Sequence, residues 1–238
     1  GIYKGRLPWR DTHLRIRGGA VYALQRTFLV DWYFVDRTLV TNSKYYPPMP
    51  WRIDNNCLMQ VVTSSPIAKW PDIMQGYVRI LLEARRYVYI ETPYFLPTET
   101  VMSAMRIAAL AGVDVRIMIP RHGDAKFVEW ASRSYVFETI QAGVKVYLYR
   151  PGFLHSKLLV CDDIVCTCGS TNVDFRSFEN NFEANAFIYD RETTLRFKQI
   201  FMDDIKECNF VTERMISRKR PFAQRLWESV VRLLSPLL

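Results

Sequence analysis

The stretch FLHSKLLVCDDIVCTCGSTN, residues 153–172, contains one of only three histidines in a chain of 238 residues. Ahead of it VKVYLY (144–149) alternates apolar and polar side chains, RPG interrupts the run, and HSKLLVC (155–161) opens a second β-rich segment. Side chains along a strand repeat with a period of two, so His155, Lys157, Leu159 and Cys161 share one face and Ser156, Leu158 and Val160 the other. An imidazole and an ammonium therefore point to one place. Asp162 falls out of step, at the DD turn before IVCTC (164–168), where its carboxylate is expected to brace the turn. The Ser170 hydroxyl, the Asn172 amide and nearby backbone N–H groups can line a polar cup beside His155, and such a cup suits an anion.

A lone histidine on an apolar face is ordinarily a core residue, and a lysine beside it ordinarily snorkels to solvent. Here every named position of the spacing H-x-K-x4-D-x6-G-S-x-N is filled, by His155, Lys157, Asp162, Gly169, Ser170 and Asn172. The pattern resembles the HKD signature of the phospholipase D superfamily.

Composition bounds what the motif can belong to. With 49% hydrophobic residues the chain can bury a substantial core, as one large domain or one and a half smaller ones. No apolar run reaches the roughly 18 residues of a transmembrane helix, and the opening residues do not read as a signal peptide. Five cysteines, with Cys166 and Cys168 two apart in a strand, match neither zinc nor disulfide spacing, so buried thiols in a reducing compartment are expected. No metal and no other cofactor is expected. The 32 Lys and Arg against 24 Asp and Glu give a net charge of +8. Residues 211–238, with six basic and two acidic residues, supply +4 of it, and a basic segment seeks an anionic surface.

Along the chain, residues 1–45 read as a short alternating strand, a Gly-Gly break and a helix with Val21, Leu24, Phe28 and Trp32 at helical spacing. Residues 46–57, rich in proline, read as a linker. Residues 58–212 alternate strand and helix, which predicts an α/β fold, a mixed β-sheet flanked by helices. Residues 213–238 form a basic segment with an amphipathic helix. Setting WRDTHLRI over NFEANAFI aligns Asp11 with Glu183, each in an alternating strand that leads into an amphipathic helix. Since superfamily enzymes commonly pair two lobes, residues 1–45 are expected to be the tail of a first phospholipase D-like lobe and residues 58–212 the second.

PWRDTHLRIRGGAVYALQRTFLVDW, TPYFLP, ASRSYVFETIQAGVKVYLYRPGFLHSK, GSTNVDFRSFENNFEAN and LWESVVRLLSPLL together resemble the bacterial cardiolipin synthases over essentially the whole chain. A first HKD motif and a membrane-spanning N-terminal segment, present in many such synthases, are absent here. His13 does not replace the missing motif, because Arg15 and Ala20 stand where Lys and Asp are needed. The resemblance implies transfer of a phosphatidyl group between two phosphatidylglycerol molecules, giving cardiolipin and glycerol without metal, at a bacterial cell membrane. Neutral His155 would attack phosphorus while a carboxylate holds its other ring nitrogen, with Glu183 as the expected orienter and Glu179 in reserve. Lys157, Ser170 and Asn172 would stabilise charge on the phosphoryl oxygens. A histidine of the other lobe, or of a second chain, would be the general acid, and Asp11 its partner by the repeat; a helix-cap or surface role suits Asp11 as well.

In PFAQRLWESVVRLLSPLL (221–238) Phe222, Leu226, Trp227, Val230, Leu233 and Leu234 cover one half of a helix. With SRKRP before it, this reads as an in-plane helix on anionic lipid, so phosphatidylglycerol and a membrane surface are the expected partners and nucleic acid is not. Two other readings use the same residues: a single-HKD homodimeric phosphodiesterase or nuclease, and a catalytically dead membrane-binding module.

Overall fold

The computed structural model describes residues 8–48, 57–124, 126–213 and 215. The chain begins with a two-residue strand, β1 (Trp9–Arg10), and a helix, α1 (Ala20–Asp36). There follow β2 (Met59–Ser64), α2 (Asp72–Glu83), β3 (Tyr87–Glu91), β4 (Phe95–Leu96), α3 (Glu99–Leu110), β5 (Asp114–Pro120), α4 (Lys126–Gln141) and β6 (Lys145–Tyr149). The motif region supplies β7 (Phe153–Leu154), β8 (Leu158–Cys161), β9 (Val165–Gly169) and β10 (Val173–Asp174). The last elements are β11 (Glu183–Ile188), α5 (Arg191–Asp204) and β12 (Cys208–Val211).

Eight strands form one mixed sheet in the order β12-β6-β5-β3-β8-β9-β11-β2. The β3-β5 and β5-β6 pairs are parallel, as the intervening helices require, and the remaining pairs are antiparallel. All five residues of β3 are buried, because both faces of the sheet are covered. Alternation along β8 sorts its side chains as the sequence predicts. Leu159 and Cys161 join the core beneath α2, α3 and α4, while Leu158 and Val160 join the core beneath α5. Helix α3 shows why these segments become helices: Thr98 caps its first turn through Val101 N–H, and Val101, Met105 and Ala108 make one buried stripe. α5 is capped likewise by Asp190 and buries Phe197 and Phe201.

Three features depart from the sequence reading. Residues 11–17 alternate in exposure, yet only Trp9 and Arg10, just before them, pair with another strand. The stripe of α1 is bare: no residue of this helix is buried, and Phe28 is 56% exposed. Finally, His155, Ser156 and Lys157 lie outside the ladder, in the stretch between β7 and β8. Most of the proposed linker and the helix of residues 221–238 lie outside the described residues.

The C-terminal ends of β3, β5 and β6, the start of β8 and the end of β9 meet at one edge of the sheet, the usual place for a ligand site in such folds. Asp162 sits at the opposite end of β8. Its φ is 53° and that of Asp163 is 62°, left-handed conformations that a short polar side chain tolerates. The Asp162 carboxylate accepts the backbone N–H groups of Arg85 (2.6 Å), Arg86 (2.9 Å) and Tyr87 (2.7 Å), tying the β8–β9 turn to the start of β3. Asp162→Asn is therefore expected to lower the unfolding free energy by about 1–3 kcal/mol, the worth of hydrogen bonds to a charged acceptor. Urea unfolding checks this, and an unchanged midpoint would remove the bracing role.

Candidate active site

Residues 8–12 run alongside 153–156 in parallel register, Trp9 opposite Phe153 and Arg10 opposite Leu154. Phe153 N–H donates to Pro8 O (3.0 Å) and His155 N–H to Arg10 O (2.7 Å). Gly152 is needed here, since a Cβ on it would stand 2.1 Å from Pro8 O. This register holds the imidazole by two contacts and its neighbour Ser156 by a third. His155 Nδ1 lies 3.1 Å from Asp11 Oδ2, the Trp9 ring lies against the imidazole at 4.4 Å between centroids, and Ser156 Oγ donates to Thr12 Oγ1 (2.8 Å). An ionised carboxylate only accepts, so the Nδ1 facing it carries the hydrogen and Nε2 of the neutral ring keeps its lone pair.

The carboxylate at Nδ1 is thus Asp11 and not Glu183. The reason is geometric: Glu183 begins β11, two strands away from β8 across β9, roughly 10 Å in lateral spacing. Glu183 instead accepts from Asn181 Nδ2 (3.3 Å) and is held above the usual carboxylate range by burial. Glu179 is exposed on a single π-helical turn, Arg176–Asn180.

Lys157 is buried, and among the described residues its ammonium makes one hydrogen bond, to His155 O at 2.5 Å. Burial pulls its pKa down to about 8 from an ordinary 10.5, against the opposing pull of Asp11, Glu183 and Asp174. Ser170 Oγ accepts Ala184 N–H at 3.0 Å, so this hydroxyl is partly committed to β11. The Asn172 side-chain oxygen is buried without a partner. These groups bring an imidazole nitrogen with its lone pair, a cation and polar side chains to one edge of the sheet, the kinds of group that phosphodiester chemistry uses. Among the described residues no His, Cys, Asp or Glu side chains cluster as a metal site needs.

Two contributors escape a local reading of the sequence. Trp9 and Thr12 flank Asp11 in WRDT, and only the long-range register with 153–156 reveals that they touch the His155 ring and its neighbour. A cavity of about 300 Å³ lies between residues 12–16 and the β9–β11 pair, lined mainly by Leu14, Ile16, Leu24, Cys168, Ala184 and Ala186.

A family model described as cardiolipin synthase, PLD-like domain, matches residues 77–205. A cardiolipin synthase of Geobacillus sp. (strain WCH70) is 43% identical over 230 residues, covering 97% of this chain and 46% of that protein. The chain spans about half the length of the curated relatives it matches. Among solved structures, the phosphatidylserine synthase of Haemophilus influenzae Rd KW20 is similar with a TM-score of 0.62 at 16% identity, covering 79% of this chain and 49% of that one. The phospholipase D family member Nuc of Salmonella typhimurium is similar at a TM-score of 0.56 and 18% identity, covering 66% of this chain and 99% of that one.

A buried cation held by one carbonyl has lost more hydration than it has regained, so Lys157→Met is expected to raise stability at pH 7 by about 1–3 kcal/mol. The sign of the pH dependence follows from a folded pKa below the unfolded one. Between about pH 8 and 10.5 the unfolded chain binds more protons, so wild-type stability rises there and the gap to Lys157→Met closes. Melting curves of both proteins across that interval test it, and a gap that stays constant would show that Lys157 titrates normally.

Proposed function

Because the chain belongs to the phospholipase D-like family of cardiolipin synthases, we propose that it carries one catalytic half of a phosphatidyltransferase, with His155 as nucleophile. The observation that carries this reading is the Asp11–His155 pair, which leaves Nε2 free to attack. In the first step Nε2 bonds to the phosphorus of phosphatidylglycerol, and the bond from phosphorus to the headgroup glycerol breaks. The departing oxygen takes a proton from a histidine of a preceding lobe, and a phosphatidyl-histidine remains. In the second step that histidine withdraws a proton from the hydroxyl of another phosphatidylglycerol. The resulting oxygen attacks phosphorus, forming cardiolipin and restoring His155. Lys157, with Asn172 and Ser170, meets the charge on the phosphoryl oxygens in both steps on this reading.

Asp11 lies outside residues 58–212, and this supports a two-lobe enzyme in which each histidine takes its carboxylate from the other lobe. On that pattern Glu183, by the repeat that aligns it with Asp11, orients the histidine of the preceding lobe. The present chain is then an incomplete enzyme. Among the described residues no helix is long and apolar enough to cross a membrane. Residues 218–234 are proposed to hold this half to anionic lipid through charge and apolar area together.

In the complete two-lobe enzyme, His155→Ala is expected to lose cardiolipin formation by several orders of magnitude with its fold intact, and to lose the trapped phosphatidyl-enzyme. Asp11→Asn should cost about 10²–10⁴-fold in kcat by admitting the wrong tautomer. A His155→Ala enzyme keeping a tenth of wild-type turnover would overturn the assignment. On phosphatidylglycerol vesicles, deleting residues 218–234 should release the protein at all salt concentrations, whereas changing Arg218, Lys219 and Arg220 to Gln should weaken binding mainly at low salt. A deletion that leaves binding intact while lowering the melting temperature would mean that the segment packs on its own domain.

A further inference from the structure

Glu91 ends β3 directly behind the reactive segment, between Leu158 of β8 and Met118 of β5. It is 1% exposed, and neither of its carboxylate oxygens has a hydrogen-bond partner. An ionised carboxylate so placed has given up its water for nothing, whereas the neutral acid escapes most of that penalty. Burial accordingly pushes its pKa up to about 7. The groups that face it are Arg10 from the β1 segment, Ser156 from the reactive loop, Asp204 from α5, Cys168 from β9 and Cys208 from β12. Arg10 is the cation of this set and is already engaged. Its Nε and Nη2 reach Asp204 at 3.1 and 2.6 Å, and its Nη1 reaches Thr12 Oγ1 at 3.3 Å and the Asp11 carbonyl.

We infer that Glu91 is a positioning residue, kept as the neutral acid so that Arg10 stays with Asp204 and Asp11 stays at His155 Nδ1. Once ionised, Glu91 competes with Asp204 for the same guanidinium. Arg10 grips the backbone of Asp11 and the side chain of Thr12, and its own carbonyl accepts from His155 N–H, so a shift of Arg10 moves the groups that hold the imidazole. The folded-state pKa lies above the unfolded value of 4.5, so the stabilising contribution of the proton is complete below 4.5 and is lost as pH rises through 7.

The test compares this chain with its Glu91→Gln variant, a neutral isostere. At pH 6 the wild-type infrared spectrum should show the carbonyl band of a buried carboxylic acid that Glu91→Gln lacks, and the band should fade as pH passes 7. The wild-type melting temperature should drop relative to the variant by several degrees between pH 5 and 8. The His155 Nδ1–H proton resonance, identified by its loss in His155→Ala, should weaken over the same interval in wild type and persist in Glu91→Gln. Absence of the band, or identical behaviour of the resonance in the two proteins, overturns the inference. Should Glu91→Gln fail to fold, Glu91→Asp serves instead, and a carbonyl band that does not shift in Glu91→Asp overturns the inference. None of these readouts uses turnover, so the inference can fail while the transferase reading stands, and the reverse.

Discussion

The site depends on one short parallel pairing, residues 8–12 laid beside 153–156. Two backbone hydrogen bonds set its register, and the bidentate Arg10–Asp204 pair anchors it to α5 from the side. Slipping a strand by one residue reverses which face each side chain takes. Here a slip would carry Asp11 off Nδ1 and Trp9 off the ring, and would leave a histidine with neither tautomer nor orientation fixed. Each contact alone is worth about 1 kcal/mol. Their agreement on a single alignment is what gives the ring one orientation.

The large sheet was legible in the sequence because each of its helices and most of its strands carry their own period. YVYIETPYF reads as a strand and TETVMSAMRIAALAG as a helix, and the structure has a buried strand at Tyr87–Glu91 and a helix at Glu99–Leu110. The spacing of His155 and Lys157 singled out the segment, although both stand just outside the ladder, where strand parity is not enforced, and the Lys157 ammonium meets the His155 carbonyl. The place of Asp162 followed from its parity too, since a side chain out of step with its strand has the turn as its surroundings.

The partner of His155 was not legible, and the reason is physical. A carboxylate two strands away and a carboxylate on a distant segment look equally plausible in one dimension, and only the cross-segment register separates Asp11 from Glu183. The apolar stripe of α1 shows the same limit from the other side. Periodicity announces a face to be covered, but it does not name the cover, and nothing among the described residues buries that face. Glu91 carries no signal in the sequence, because its interest lies in the partners it lacks.

The strand order has a consequence for how the chain must fold as it is made. β2 is the first strand of the large sheet to be synthesised, yet its neighbour β11 is nearly the last, and β3 waits at its open edge for β8. Non-local pairings of this kind slow folding, because loops must close before contacts reward them. Through most of translation the nascent lobe therefore has β2, β3 and β6 each waiting for a partner made later, and such open edges are where a growing chain is most open to joining a neighbour. The edge of the sheet that carries the candidate site, built from the ends of β3, β8 and β9, is assembled only after β8 and β9 have paired. A polypeptide halted before β8 would hold only the parallel half-sheet β3-β5-β6 and none of the candidate site's far side.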